Sequence, residues 1–141
     1  MLVRNVMNKR VITCSKDLSL REASKVMVEM NIGSLLVVEN EKPIGIITST
    51  DILKAISNNL DLDKVKVEQI MSTPVITIDP SEDLEKAVEI MVKNNIKRLA
   101  VVEGEKIVGI ITASDIIAIE PKLINQLAQL MTLKLPGYSG G

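Results

Sequence analysis

The sequence contains no histidine and a single cysteine, Cys14. Without an imidazole the chain lacks the usual general base and the commonest metal ligand. One cysteine can form neither an internal disulfide nor a multi-cysteine zinc site. Cys14 lies in an apolar run, which favours a small buried side chain over a reactive thiol. With no histidine and one cysteine, we expect no metal site. Because no nucleophile is paired with a base, we do not expect an enzyme.

Aromatic residues are also scarce, and the positive and negative charges are nearly equal in number. With one tyrosine, no tryptophan and no phenylalanine, the chain must build its core from aliphatic side chains. Lysine and arginine number 17 against 18 aspartates and glutamates, a balance that argues against nucleic-acid binding. No apolar run approaches the roughly 18 residues of a membrane span, and the N-terminus lacks a signal-peptide layout. We expect a soluble, cytoplasmic protein.

What the sequence has instead is an internal repeat. Residues 7–53 align with residues 71–117 without a gap, and 22 of the 47 aligned positions are identical. Matches this dense indicate a duplication. We predict a first repeat over residues 1–60, a second over residues 61–120, and a C-terminal segment over residues 121–141.

Both repeats predict the same order of elements. A short β-branched strand, at residues 11–14 or 75–78, precedes an amphipathic helix. Two apolar strands follow, joined by a polar turn at residues 40–42 or 104–106, and they read as a hairpin. A second helix completes a β-α-β-β-α repeat.

The predicted fold class is α/β (α+β). One repeat of about 60 residues buries too little surface to be stable alone. We therefore expect the two repeats to pack sheet to sheet with pseudo-two-fold symmetry, which creates two clefts between them. Residues 57–67 are expected to be a polar connector, and Thr50 and Ser114 are expected to cap the second helix of each repeat.

The C-terminal segment predicts one further helix. Pro121 suits a first helical turn, and residues 136–141 carry no packing signal, so we expect them to be frayed. An apolar stripe on the helix can fold back on the core or bind a partner chain, and the sequence favours neither. Its members are Leu123, Ile124, Leu127, Leu130 and Met131.

One seven-residue phrase occurs in both repeats and contains polar residues that can bind a ligand. Residues 45–51 read GIITSTD and residues 109–115 read GIITASD, each at a predicted strand-to-helix junction. An aspartate there can accept two hydrogen bonds from adjacent sugar hydroxyls, and nearby hydroxyls and helix-start amides suit phosphate oxygens. The alternative is that these residues only cap helices. Their occurrence in both copies favours binding.

In each repeat the phrase is accompanied by an upstream strand of apolar residues and threonine, and by an Asn-Ile pair before the hairpin. Together these features resemble a tandem pair of cystathionine-β-synthase (CBS) domains, the Bateman module, over residues 3–120. The resemblance implies a regulatory module that binds an adenine nucleotide in the cleft between the repeats. AMP is the first expected ligand, then ADP or ATP, and S-adenosylmethionine is an alternative. No covalently bound cofactor is expected.

The resemblance also assigns site residues. The aspartates would bind the ribose, the hydroxyls would lie near ribose or phosphate, and the adenine would lie among aliphatic side chains and backbone amides. The implied residues are Thr13, Ile32, Thr48, Thr50, Asp51, Thr77, Ile78, Ile96, Thr112, Ser114 and Asp115.

The repeats differ at one position that matters for charge. Lys97 and Arg98 of the second repeat align with Gly33 and Ser34 of the first. The resemblance implies that this basic pair reaches a phosphate, for which arginine offers a bidentate fork. The alternative is a solvated strand end. We expect one good nucleotide site and one weak or empty one.

The resemblance further implies a homodimer that signals through its own oligomer or to an unknown protein target. A second hypothesis is a dimeric adaptor whose clefts are vestigial. Nucleotide binding distinguishes the two hypotheses.

Overall fold

The computed structural model describes residues 1–131. The residues predicted to be frayed, 136–141, lie outside this range. The described chain contains six strands, six α-helices and two short 3₁₀ turns, at Val3–Asn5 and Pro121–Leu123. In chain order the strands and α-helices are β1 (Thr13–Ser15), α1 (Leu20–Met30), β2 (Ser34–Glu39), β3 (Lys42–Thr48), α2 (Ser49–Ser57), α3 (Val67–Ile70), β4 (Thr77–Ile78), α4 (Leu84–Asn94), β5 (Arg98–Glu103), β6 (Lys106–Thr112), α5 (Ala113–Ile119) and α6 (Ile124–Met131).

The mixed α+β fold class is confirmed, and each repeat has the β-α-β-β-α order. The strands form two three-stranded sheets, ordered β1-β2-β3 and β4-β5-β6. In each sheet the first strand is parallel to the central strand and the third is antiparallel to it. The predicted packing of the sheets and the clefts between the repeats stay predictions.

The chain forms two compact units, and their boundaries differ from those of the duplicated repeats. One unit is Val11–Val75, and the other combines Met1–Arg10 with the chain from Ile76 onward. We call them the first and the second unit. In the second unit, Asn8 and Ile110 exchange backbone hydrogen bonds of 2.8 and 3.0 Å. In the first unit, Ser72 and Ile46 do the same at 2.9 and 3.1 Å. The predicted repeat boundaries describe the sequence duplication and not the packing, so the units do not test them and they stay a prediction.

Each unit has an aliphatic core between its sheet and its helices. The first cluster includes Leu20, Met27, Leu35 and Ile47, and the second includes their repeat equivalents together with side chains of α6. Side chains of a strand alternate between the two faces of its sheet. Every second residue of the central strands therefore points into the cluster, as Leu99 does in β5.

Asparagine ends the first helix of both repeats. Asn31 and Asn95 adopt the left-handed conformation, with φ of 54° and 53°, which asparagine tolerates better than most residues. The next residue then donates back into the helix: Ile32 N–H bonds to the carbonyl of Met27 at 2.9 Å. This closure turns the chain directly into the hairpin that carries the candidate site.

Several local predictions need correction. Lys42 and Lys106 are strand residues, so each hairpin turn has only two residues. The segment predicted as a polar connector contains the fully buried Val67, which begins the unpredicted α3. The first strands are shorter than predicted, because β1 begins at Thr13 and β4 at Thr77.

Three members of the apolar stripe at the C-terminus fold back on the core, and the side chain of Met131 lies outside the part that the structure describes. Leu123, Leu127 and Leu130 are buried in the cluster of the second unit, where α6 packs against α4 and α5. Ile124 is about half exposed on the outer side of the helix. This outcome favours the first of the two predicted roles of the stripe.

Candidate functional site

The junction between β3 and α2 is closed by a reciprocal pair of side chains. Thr48 is the N-cap residue, and its hydroxyl oxygen accepts a bond from the Asp51 N–H at 3.2 Å. In return, Oδ2 of Asp51 accepts the Thr48 N–H at 2.8 Å and the Thr48 hydroxyl at 3.0 Å. This capping box satisfies backbone donors that a helix start otherwise leaves unpaired.

The junction between β6 and α5 repeats this arrangement. Asp115 N–H donates to the Thr112 hydroxyl at 3.1 Å, and Thr112 N–H donates to Oδ2 of Asp115 at 3.1 Å. The caps are therefore Thr48 and Thr112. The prediction that Thr50 and Ser114 cap these helices is wrong, because both lie inside the first turn.

Capping leaves part of each junction available to a ligand. Each aspartate uses only Oδ2 in its capping box, and Oδ1 has no hydrogen-bond partner among residues 1–131. Both aspartates are half-buried, whereas the hydroxyl-bearing Thr50 and Ser114 are exposed. Helix capping and ligand binding can therefore coexist at these carboxylates.

Strand register brings the other polar residues of the first unit to the same place. Ser34 pairs with Thr48 across β2 and β3, and Thr13 pairs with Leu36 two residues further along β2. Thr13, Ser34 and Thr48 thus share the sheet face that points away from the core cluster. Ser34 was not among the predicted site residues, although its alignment with Arg98 could have indicated it.

The second unit assembles the equivalent set. Arg98 pairs with Thr112, and Thr77 pairs with Ala100, so Thr77, Arg98 and Thr112 share one face at the edge where α5 begins. The carbonyl of Lys97 accepts the Ala113 N–H at 2.9 Å, which fixes this residue beside the helix start. Lys97 is exposed and Arg98 is half-buried.

The aliphatic residues predicted near the adenine fall into two groups. Ile32 and Ile96 are partly buried beside the junctions. Ile78 is only 5% exposed and points into the core of the second unit. Its repeat equivalent, Cys14, is also on the core side, and burial raises the pKa of this thiol to about 11. The side chains of these two residues are therefore not on the sheet face that Thr13 and Thr77 share with the junctions.

The glycine of each repeated phrase is explained by packing. A Cβ on Gly109 would lie 2.7 Å from Sδ of Met7 and 3.1 Å from the carbonyl oxygen of Asn8. A Cβ on Gly45 would collide with the side chain of Met71. Because Met7 and Met71 are repeat equivalents, both glycines make room for the same packing contact, which no local sequence pattern indicates.

No group of three or more cysteine, aspartate or glutamate side chains is placed to hold a metal ion within residues 1–131. Within the same residues, no helix has both the length and the apolar character that crossing a bilayer requires.

Comparison with known proteins identifies related chains. The sequence profile of the CBS domain matches residues 3–58 and again residues 67–122. Uncharacterized protein MJ0450 of Methanocaldococcus jannaschii is 39% identical over 131 residues, which cover 90% of this chain and 70% of the relative. The L-aspartate semialdehyde sulfurtransferase of the same organism is 38% identical over 117 residues, which cover 82% of this chain but only 22% of the enzyme.

A solved structure is similar as well. The CBS domain pair of protein MJ0100, crystallised in complex with 5′-methylthioadenosine and S-adenosyl-L-methionine, aligns with a TM-score of 0.78 and 35% identity. The alignment covers 86% of this chain and 97% of that chain.

Proposed function

The chain belongs to the CBS domain family, and we propose that it is a non-catalytic regulatory module that binds an adenosine-containing ligand. The observation that carries the proposal is the pair of Thr-x-x-Asp junctions, one in each unit, each with a carboxylate oxygen outside its capping box. Asp51 and Asp115 would accept the ribose hydroxyls through Oδ1. Thr50 and Ser114 would bind ribose or phosphate from the exposed side of the same helix turn.

An adenosine ligand suits the rest of the predicted set. A related CBS domain pair binds 5′-methylthioadenosine and S-adenosyl-L-methionine, which share the adenosine group. In this chain, Ile32 and Ile96 offer apolar contacts to a base, and the backbone at Thr13 and Thr77 offers hydrogen bonds. Base recognition by aliphatic side chains and amides agrees with a chain that has no phenylalanine or tryptophan.

Charge at the two edges separates the candidate ligands. Lys97 and Arg98 adjoin the second junction, whereas Gly33 and Ser34 adjoin the first. A phosphate gains charge-assisted hydrogen bonds only from the basic pair. We therefore propose AMP at the second junction, with ADP or ATP as variants. At the first junction we propose no ligand or one with an uncharged tail, such as a methylthio group.

Binding is expected to regulate a protein target or the chain's own oligomer, for which we propose a homodimer. A ligand shifts such an equilibrium only by its difference in affinity for the two states. The second candidate function is a dimeric adaptor without a ligand. It is favoured by the capping boxes, which give both aspartates a structural role that needs no ligand.

Isothermal titration calorimetry distinguishes the two functions. AMP, ATP, S-adenosylmethionine and 5′-methylthioadenosine are titrated separately into the protein, with GMP as the matched control for the base. We expect at least one adenosine ligand to bind with a Kd below about 1 mM, and GMP to bind more weakly. If none of the four adenosine ligands binds in this range, the adaptor function is correct.

An Arg98→Ala variant tests the phosphate assignment. Loss of a charge-assisted hydrogen bond costs about 1.5–3 kcal/mol, so AMP affinity should fall at least about tenfold, while adenosine affinity changes little. Ser34→Ala, at the equivalent position of the first unit, is the matched control. Equal losses for AMP and adenosine would remove Arg98 from the phosphate.

A further inference from the structure

In each unit a segment from outside the sheet packs against the third strand of that sheet. In the second unit this segment is residues 1–8, which we name the N-terminal strap. In the first unit it is residues 65–72, which we name the connector strap, and the two are repeat equivalents. The valine at the third position of each strap, Val3 or Val67, is fully buried. Its carbonyl accepts the N–H of the residue four positions later, at 2.9 or 2.8 Å. Each strap is thus anchored in the core of its unit before it reaches the sheet.

The last two residues of each strap contact the backbone of the third strand. Met7 packs against Gly109, where its Sδ atom leaves no room for a Cβ. The next residue, Asn8, exchanges two backbone hydrogen bonds with Ile110. Residues 71–72 of the connector strap contact β3 in the same way. Because glycine has no side chain, the methionine can approach the strand this closely.

These contacts directly follow a β-bulge. Where β5 pairs with β6, Val102 lies opposite Ile107. The preceding residue, Val101, lies opposite Gly109, so one residue of β6 is extra. The pairing of β2 with β3 has the same shift, just before Gly45. Bulges of this kind redirect the side chains that follow them, and each strap contacts its strand at the first residues after the bulge.

The bulge determines which side chains of β6 reach the junction. At the hairpin turn, Glu103 pairs with Lys106. An unbroken antiparallel register from this pair would set Arg98 opposite Ile111, whereas the observed register sets it opposite Thr112. Residues directly opposite each other share a face, and a slip of one residue moves the side chains of a strand to the other face. Without the bulge, the fully buried Ile111 would take the face of the junction, and Thr112 would turn towards the core.

We propose that Met7 and Met71 are positioning residues for the two junctions. Each methionine holds the bulged register of the third strand, and so fixes the Thr-x-x-Asp junction at which that strand ends. Met7 acts on the second junction, which begins three residues beyond Gly109, and it acts through the strand and not through the ligand. That the junction binds a ligand rests on the proposed function. The register is measured without ligand, so the two proposals can fail separately.

Amide hydrogen exchange without ligand tests the register. The Thr112 N–H donates to Asp115 in the capping box. In Met7→Ala it should exchange at least about fivefold faster, because β6 should sample other pairings more often. The amide of Thr48, in the first unit, should keep its rate. Met71→Ala should give the reverse pattern, so each unit is the control for the other.

A second control separates positioning from general loss of stability. Leu127→Ala removes a fully buried side chain from the same core, outside the strap. It should lower the free energy of unfolding and leave the exchange of Thr112 unchanged. Met7→Leu keeps the apolar volume, so slow exchange should return. If Met7→Ala does not fold, Met7→Val is the milder truncation, and the same order of exchange rates is expected.

Calorimetric titration with AMP, well below the Tm of each variant, adds the functional measurement. Met7→Ala should raise the Kd for AMP at least about fivefold, whereas Leu127→Ala should leave it unchanged. The proposal is overturned if Met7→Ala leaves the exchange of Thr112 unchanged, if Leu127→Ala speeds that exchange as much, or if Met71→Ala affects both junctions alike. It is also overturned if the wild-type chain binds AMP and Met7→Ala binds it equally well. The expected exchange pattern in a chain that binds no AMP would refute the proposed function and support the positioning role.

Discussion

Removing the carboxylate of Asp51 should destabilise the protein and weaken the binding of a ligand that occupies the first junction. Its Oδ2 atom accepts the Thr48 N–H at 2.8 Å and the Thr48 hydroxyl at 3.0 Å. Thr48 remains the cap residue in Asp51→Ala, so the loss is that of the hydrogen bonds to Oδ2, about 0.5–1.5 kcal/mol, and loss of a negative charge in the first turn costs about 0.3–1 kcal/mol. We expect Asp51→Ala to lower the free energy of unfolding by about 1–2 kcal/mol.

The size of the chain converts this loss into a melting shift. A change of 1 kcal/mol moves the Tm of a domain of this length by about 3–5 °C. Thermal unfolding followed by circular dichroism should therefore show a Tm lower by about 3–10 °C for Asp51→Ala. Thr50→Ala is the matched control in the same turn, because Thr50 is exposed and is not the cap residue.

An asparagine at the same position separates capping from ligand binding. Asp51→Asn keeps a carbonyl oxygen that can accept the Thr48 N–H, so most of the stability should return. A ribose hydroxyl, however, loses its charged acceptor, and affinity for an adenosine ligand bound at this junction should stay about tenfold reduced. If Asp51→Ala melts within 1 °C of Thr50→Ala, the capping argument is wrong.

Three further predictions concern packing and the thiol. Gly109→Ala and Gly45→Ala should each cost about 1–3 kcal/mol, because the added methyl group would collide with Met7 or Met71; urea unfolding of both variants tests this, and unchanged stability would contradict the packing contact. Leu127→Ala should cost about 2–5 kcal/mol by calorimetry, whereas Ile124→Ala on the exposed side of α6 should cost under about 1 kcal/mol; equal costs would show that α6 does not pack on the core. Burial raises the pKa of Cys14 from 9.0 to about 11, so this thiol should react slowly with iodoacetamide at pH 8, and rapid alkylation of the folded chain would contradict its burial. Because the folded chain favours the neutral thiol, the stabilisation from this preference should be lost as the pH rises from 9 towards 11.

The order of elements could be predicted because it depends on local patterns. Apolar spacing, β-branched runs and the duplication each act over a few neighbouring residues or compare like with like. The left-handed conformation of Asn31 and Asn95 illustrates the limit of such patterns. In the sequence both residues stand out as matches between the repeats and as part of the Asn-Ile pair before each hairpin, but their role in ending a helix follows from backbone angles that the sequence does not state.

The caps were misassigned because two hydroxyls satisfy the same pattern. Thr48 and Thr50 both precede an apolar helical run, and either can accept a backbone N–H. The choice depends on the conformation at the junction, where Thr48 is extended, with φ of −119° and ψ of 164°. In the same way, the sequence could suggest that the aspartates bind a ligand or cap a helix, but the distances were needed to show that capping uses only one oxygen.

The role of the glycines could not be predicted because it depends on distant residues. Gly109 accommodates Met7, which lies near the other end of the chain, and Gly45 accommodates Met71. A pattern confined to one segment cannot reveal such contacts. The exposed Val28 is a similar case, since its repeat equivalent is identical in sequence and differs only in what packs beside it.

The central claim is that the two strand-to-helix junctions bind an adenosine ligand. A titration of the ¹⁵N-labelled protein with AMP and with 5′-methylthioadenosine, followed by two-dimensional amide NMR, tests it residue by residue. We expect the largest shifts at residues 48–51 or 112–115, and we expect AMP also to shift the amides of Lys97 and Arg98. Saturable shifts confined to other parts of the chain, or none with either compound, would contradict it.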